Sequence, residues 1–130
     1  MGTHDTQIVS IVDDDESLRR SLRNLLGSVG LRVETFASAE AFLGSIHQEQ
    51  TGCLVLDLRM PGMSGFDLLR HLSSMGSRIP VVILTAHGDD EVRHRSLQAG
   101  AAAFLSKPFN GNALLDAVRT ALGQGGWPAG

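Results

Sequence analysis

The sequence predicts an α/β protein: an open, doubly wound sheet of five parallel strands with helices on both faces. Three observations predict it. Five short apolar runs, reached at Ile8, Arg32, Cys53, Val81 and Phe104, alternate with five segments of helical periodicity. Four of the runs are apolar almost without interruption, as strands buried on both faces must be, and parallel strands require crossover connections of the kind helices supply. Four of the runs end directly on a polar residue, which points to a shared crevice at one end of the sheet.

Ile8 to Val12 reads as the first strand. Leu18, Leu22, Leu25, Leu26 and Val29 then recur on one helical face, and Gly30 stands where a helix stop belongs. Arg32 to Phe36 alternates polar and apolar as a second strand, and Ser38 is placed to cap a helix whose inner face carries Ala39, Phe42, Leu43 and Ile46. Cys53 to Leu56 is the third strand. The loop "RMPGMSG" that follows contains Pro61, Gly62 and Gly65 as turn residues, before a short helix marked by Phe66, Leu69 and Leu72. Val81 to Leu84 is the fourth strand, and the helix after it, from about Asp89 to Ala99, is weakly amphipathic with an acidic start suited to the positive end of the helix dipole. Phe104 to Ser106 gives the fifth strand. Leu114, Leu115, Val118, Ala121 and Leu122 mark a closing amphipathic helix.

At 130 residues and 42% hydrophobic, the chain has room for one domain with one substantial core. Residues 8–122 are expected to fold, residues 1–7 to be a disordered N-terminal segment, and residues 123–130, "GQGGWPAG", to be a flexible tail or linker. A net charge of −3 disfavours direct binding to a nucleic-acid backbone. No apolar run has the length of a bilayer span or signal sequence, so the expected location is cytoplasmic, without membrane contact. The lone Cys53, set in "CLVLDL", reads as a buried structural thiol.

The polar residues at the strand ends are Asp13 and Asp14 after the first strand, Asp57 after the third, Thr85 after the fourth and Lys107 after the fifth. Carboxylates about 4 Å apart repel by roughly 4 kcal/mol per pair at an effective dielectric near 20, so such a cluster is tolerable only if it is exposed, protonated or neutralised by a cation. Mg²⁺, a hard cation that takes oxygen ligands while keeping several waters, suits it. A carboxylate, a hydroxyl and an ammonium around that metal are a set able to accept and hold a phosphoryl group, with Asp57 as the natural nucleophile. Asp15, one residue farther from the strand, reads as a helix N-cap. Glu16 and Arg20 are spaced for an exposed pair on one helix face.

With "VDDDE", "VLDLRMPGMSG", "ILTAHGD" and "FLSKPF" in this order, the chain resembles the response-regulator receiver domain of two-component signalling, from about Ile8 to Leu122. "DLRMPGMSG", "TAHGD" and "KPF" are most similar to the FixJ-like receivers, which commonly precede a helix-turn-helix DNA-binding domain. The resemblance implies a flavodoxin-like (βα)5 fold and a switch that takes a phosphoryl group from a sensor histidine kinase onto Asp57. It implies that Asp13, Asp14, Asp57 and the backbone carbonyl of Arg59 hold Mg²⁺, Asp14 directly and Asp13 largely through water. Lys107 would pair with Asp57 at rest and with the phosphoryl oxygens afterwards, next to a cis Lys107-Pro108 bond. Thr85 and Phe104 would be the switch residues, and the face of the fourth helix, fifth strand and fifth helix would form a homodimer that controls transcription. Catalysis would be confined to the chain's own phosphoryl transfer and slow autodephosphorylation, with Arg59 and His87 near the pocket mouth tuning the lifetime.

Other readings fit less well. A phosphatase of the haloacid dehalogenase type needs a second aspartate two residues after its nucleophile, where Arg59 stands. A flavin phosphate wants a first loop rich in Ser, Thr and Gly, and three aspartates would repel it. The one glycine-dense stretch, Gly123 to Gly126, follows the last helix, so it does not match a dinucleotide-binding loop. A pseudo-receiver, with the fold but without phosphorylation, is disfavoured because the acidic, Thr and Lys positions are all filled.

Overall fold

The computed structural model describes residues 7–123. The expected N-terminal segment (1–7) and tail (123–130) lie outside the described residues except at Gln7 and Gly123.

The chain runs β1 (Ile8–Val12), α1 (Glu16–Ser28), β2 (Val33–Phe36), α2 (Ala39–Leu43), β3 (Thr51–Leu56), α3 (Gly65–Ser74), β4 (Val81–Thr85), α4 (Asp90–Gln98), β5 (Ala103–Ser106) and α5 (Gly111–Ala121). The strands form one sheet in the order β2-β1-β3-β4-β5, and every pairing is parallel. The direction of winding reverses between β1 and β3, and that is where the crevice of such a sheet opens.

Side chains alternate across each strand, so the sheet has two cores. Val12, Leu54, Leu56, Val81 and Ile83 pack with Phe42 of α2 and with Leu68, Leu69 and Leu72 of α3. Val9, Ile11, Cys53, Val55, Val82 and Leu84 pack with Leu22 and Leu26 of α1 and with Leu114 and Val118 of α5. Fully burying one such Leu or Ile contributes about 1.5–3 kcal/mol, so these two layers dominate the stability. Burial pushes the Cys53 thiol up to about 12, in keeping with an inert structural cysteine. Among the polar side chains inside, Ser10 Oγ is 2.7 Å from Thr51 Oγ1, which itself donates to the His47 carbonyl at 3.0 Å.

Helix starts follow the expected capping chemistry. Asp15 Oδ1 accepts from the Leu18 amide (3.2 Å), Ser38 Oγ from Ala41 (3.0 Å) and Asp89 Oδ1 from Val92 (2.9 Å). Glu16 and Arg20 form the exposed pair at 3.3 Å. Gly30, at φ +88°, ends the α1 segment in the left-handed region.

Two apolar residues assigned to inner faces are not inside. Ile46 is 87% exposed, because α2 stops at Gly44, whose amide closes on the Glu40 carbonyl, and the helical face does not reach residue 46. Val29 is 39% exposed as the C-terminal cap of α1. The structure also adds a single 3₁₀ turn at Gln48–Gln50 and starts β3 two residues early, at the buried Thr51. α4 is the least embedded helix: its one buried residue is Ser96, and Val92 and Ala99 are only partly covered.

Candidate functional site

The parallel ladder carries on one residue past the strands, and this places the polar cluster. Asp13 donates its amide to the Phe36 carbonyl (3.1 Å), Asp57 to Val12 (3.1 Å) and Lys107 to Thr85 (2.9 Å). Each of the three side chains therefore leaves a backbone that is still part of the sheet. Asp13 is 2% exposed and Asp57 6%, whereas Asp14 is exposed.

One carboxylate oxygen from each of Asp13, Asp14 and Asp57 lies within 4.8 Å of the others. Lys107 Nζ donates to Asp57 Oδ2 at 3.1 Å and to Asp13 Oδ2 at 2.9 Å. The Asp57 contact is the one the resemblance implies; the shorter one to Asp13 is additional. Asp13 Oδ1 accepts from the Asp15 amide (2.9 Å), and Arg19 Nη1 donates to the Asp13 carbonyl (2.8 Å). Arg19 is a positioning contact that the sequence does not reveal, since it reads as one more polar residue of an amphipathic helix.

Burial raises the pKa of Asp13, the Lys107 and Asp15 hydrogen bonds lower it, and the neighbouring Asp57 charge raises it again; the net shift is upward. Burial opposes the charge on Lys107, but the hydrogen bonds and attraction from Asp13 and Asp57 outweigh it and raise its pKa. A second cation in the cluster would relieve the excess negative charge. The donors are all hard oxygens on a partly open face, a set that fits Mg²⁺ better than a softer metal.

Two further features shape the site. Gly65, the first residue of α3, sits against the Asp57 backbone so closely that a Cβ there would overlap the Asp57 carbonyl oxygen. Its amide donates to the Leu58 carbonyl at 3.0 Å, which folds the loop back under Asp57. The Lys107-Pro108 peptide is cis.

Thr85 is fully buried, and its hydroxyl accepts from the His87 amide at 3.2 Å. Phe104 is half-buried, with its ring over Gly88, where a Cβ would collide with it. Between α3 and α4 a cavity of about 200 Å³ is lined by Leu58, Arg59, Phe66, His87, Val92 and Arg95. Arg95 spans it from α4 with its guanidinium 5.0 Å from the centre of the Phe66 ring.

The response regulator receiver domain family matches residues 9–119. The chain belongs to this family. It is 46% identical over 115 residues to response regulator protein TmoT of Ectopseudomonas mendocina, a match covering 88% of this chain and 52% of that protein. It is 44% identical over 116 residues to the transcriptional regulatory protein FixJ of Azorhizobium caulinodans, covering 89% and 55%. The chain thus spans about half the length of these relatives. Among solved structures, the response regulator StyR superposes with a TM-score of 0.83 at 52% identity, over 91% of this chain and 60% of that one. The structure of FixJ-N superposes with a TM-score of 0.80 at 39% identity, over 90% and 94%. A receiver of two-component signalling, of FixJ and TmoT kind, is therefore a signalling module, and its relatives include transcriptional regulators. Among the described residues, no helix is long and apolar enough to cross a membrane.

Proposed function

We propose that residues 8–122 act as a phosphorylation-activated switch that accepts a phosphoryl group from a sensor histidine kinase onto Asp57. The observation that carries this is the convergence of Asp57, Asp13 and Lys107 into one hydrogen-bonded cluster at the winding reversal of the sheet. The Asp57 carboxylate attacks phosphorus, a new P–O bond forms, and the P–N bond to the kinase imidazole breaks, with the electron pair leaving on nitrogen.

Asp13, Asp14, Asp57 and the Arg59 carbonyl would hold Mg²⁺, with Asp14 in direct contact and Asp13 largely through water. Bound there, the ion neutralises charge on the transferring phosphoryl oxygens. Lys107, already between two carboxylates, follows the negative charge from the Asp57 carboxylate to the phosphoryl group. Arg59 and His87 at the rim screen that group from water and set its lifetime.

A phosphoryl group brings nearly two negative charges and three acceptor oxygens. The Thr85 hydroxyl leaves the His87 amide to donate to one of them, and the Phe104 ring turns into the space released. The surface of α4, β5 and α5 repacks and forms a homodimer, which controls transcription in the cytoplasm without direct nucleic-acid contact by this chain. The weak embedding of α4 supports its part in that change.

The test is incubation with acetyl phosphate, with and without Mg²⁺, on the wild type and Asp57→Asn, read by intact mass and gel filtration. A Mg²⁺-dependent gain of one phosphoryl in the wild type alone, with a shift to dimer, is the expected result. No gain while Mg²⁺ still binds would point instead to a pseudo-receiver or to strict dependence on the chain's own kinase.

A further inference from the structure

The loop from Arg59 to Ser64 joins the Asp57 strand end to α3. At its near end the Arg59 amide makes a long contact to Asp57 Oδ1 (3.4 Å), and at its far end Gly65 is bonded to Leu58 (3.0 Å). Between them, Met60 is buried in the core while Pro61 and Gly62 are exposed. Among the described residues, one hydrogen bond ties the backbone of residues 60–63 to another element. The Met63 amide donates to Glu40 Oε2, on α2, at 2.9 Å.

Glu40 reaches this amide from the first turn of a helix that Ser38 caps, so its own backbone is fixed. Gly62 makes the approach possible. Its φ is +76°, and a Cβ on it would stand 2.8 Å from the same Glu40 Oε2. The Met63 hydrogen bond holds the Glu40 carboxyl below its ordinary range, although the group is exposed to water. A carboxylate accepting from a backbone N–H makes a charge-assisted hydrogen bond, roughly twice as strong as a neutral one.

From this tether, we infer that Glu40 is a positioning residue for the divalent-cation site: it holds the Arg59–Met63 loop in the shape that lets the site bind Mg²⁺. The inference rests on the proposal that Asp13, Asp14, Asp57 and the Arg59 carbonyl form that site. Glu40 contacts none of these groups, and it acts only through the loop, as outer partners of metal ligands do.

The test is calorimetric titration of Mg²⁺ into the metal-free chain as wild type, Glu40→Ala, Glu40→Gln and Gly62→Ala, with thermal melts alongside. Loss of a hydrogen bond of this kind corresponds to a weakening of about threefold to tenfold. That loss is expected in Glu40→Ala and Gly62→Ala, and near-wild-type affinity in Glu40→Gln, which keeps an oxygen acceptor. Equal affinity in the wild type and Glu40→Ala would overturn the tether, and so would equal weakening in Glu40→Ala and Glu40→Gln, which would assign the effect to charge alone. A wild type that binds no Mg²⁺ would overturn the site itself, and the tether's role with it.

Discussion

Lys107 Nζ lies closer to Asp13 Oδ2, at 2.9 Å, than to Asp57 Oδ2, at 3.1 Å. One ammonium is therefore shared between two buried carboxylates that repel each other, and neither is fully compensated. The sharing makes the cluster a compromise that an added cation or a redistribution of charge can tip. It also gives Asp13 a part in holding Lys107 before any phosphoryl group arrives.

A pH dependence follows from the same pair in metal-free buffer. The folded pKa of Asp13 is raised, so the folded state binds its proton more tightly than the unfolded chain does. The stability it contributes is present at low pH and is lost as pH climbs from the ordinary carboxylate range near 3.8 through the raised value. Asp13→Asn keeps an oxygen acceptor for Lys107 but has nothing to ionise. Urea unfolding of both proteins across pH 4 to 7 should show the variant gaining stability relative to wild type as pH rises. A constant difference would refute the account. At the alkaline end Lys107 acts likewise: its contribution is complete below 10.5 and is lost as pH passes its raised folded pKa.

Two glycines should respond in opposite directions to the same substitution. Gly65→Ala drives a methyl into the Asp57 carbonyl, so the backbone of the strand end or of α3 must move. A loss of about 2–3 kcal/mol is expected, as for overpacking at a rigid site. Gly27 lies within α1 with open space around the position a Cβ would take, so Gly27→Ala should gain about 0.5–1 kcal/mol from helix propensity. Denaturant midpoints of the two variants measure both.

Thr85→Val should separate phosphoryl acceptance from output. Valine matches threonine in shape, and the hydroxyl it lacks accepts one hydrogen bond here, from His87 at 3.2 Å. Under the proposed mechanism, acetyl phosphate still adds one phosphoryl to Asp57, but the shift to dimer on gel filtration is lost or reduced at least about tenfold, the weight of a charge-assisted hydrogen bond. A variant that dimerises as wild type would remove Thr85 from the switch.

Much of this was legible in the residues because the signals were local. Buried strands read as apolar runs, caps as Ser or Asp ahead of a helix, and the crevice as polar residues closing the strands. Ile46 misled because its spacing continues the α2 face while Gly44, two residues earlier, ends the helix. The contacts of Glu40 with Met63, 23 residues away, and of Lys107 with Asp13, 94 residues away, had no local signature. Both depend on how far a long side chain reaches across neighbouring loops, which periodicity does not encode.

Ser96 offers a test of how firmly α4 is packed, before and after phosphorylation. It is the buried residue of that helix, at 0% exposure, and its hydroxyl has no hydrogen-bond partner among the described residues. An unsatisfied buried hydroxyl costs about 1–3 kcal/mol, and alanine is the better helix former. Ser96→Ala should therefore raise the unfolding free energy by about 1 kcal/mol and slow amide exchange in α4 more than in α1 or α5. If α4 must loosen for output, the same variant, fully phosphorylated, should dimerise less than wild type. A stabilised α4 with undiminished dimerisation would show that the helix moves as a packed unit, without loosening from the sheet.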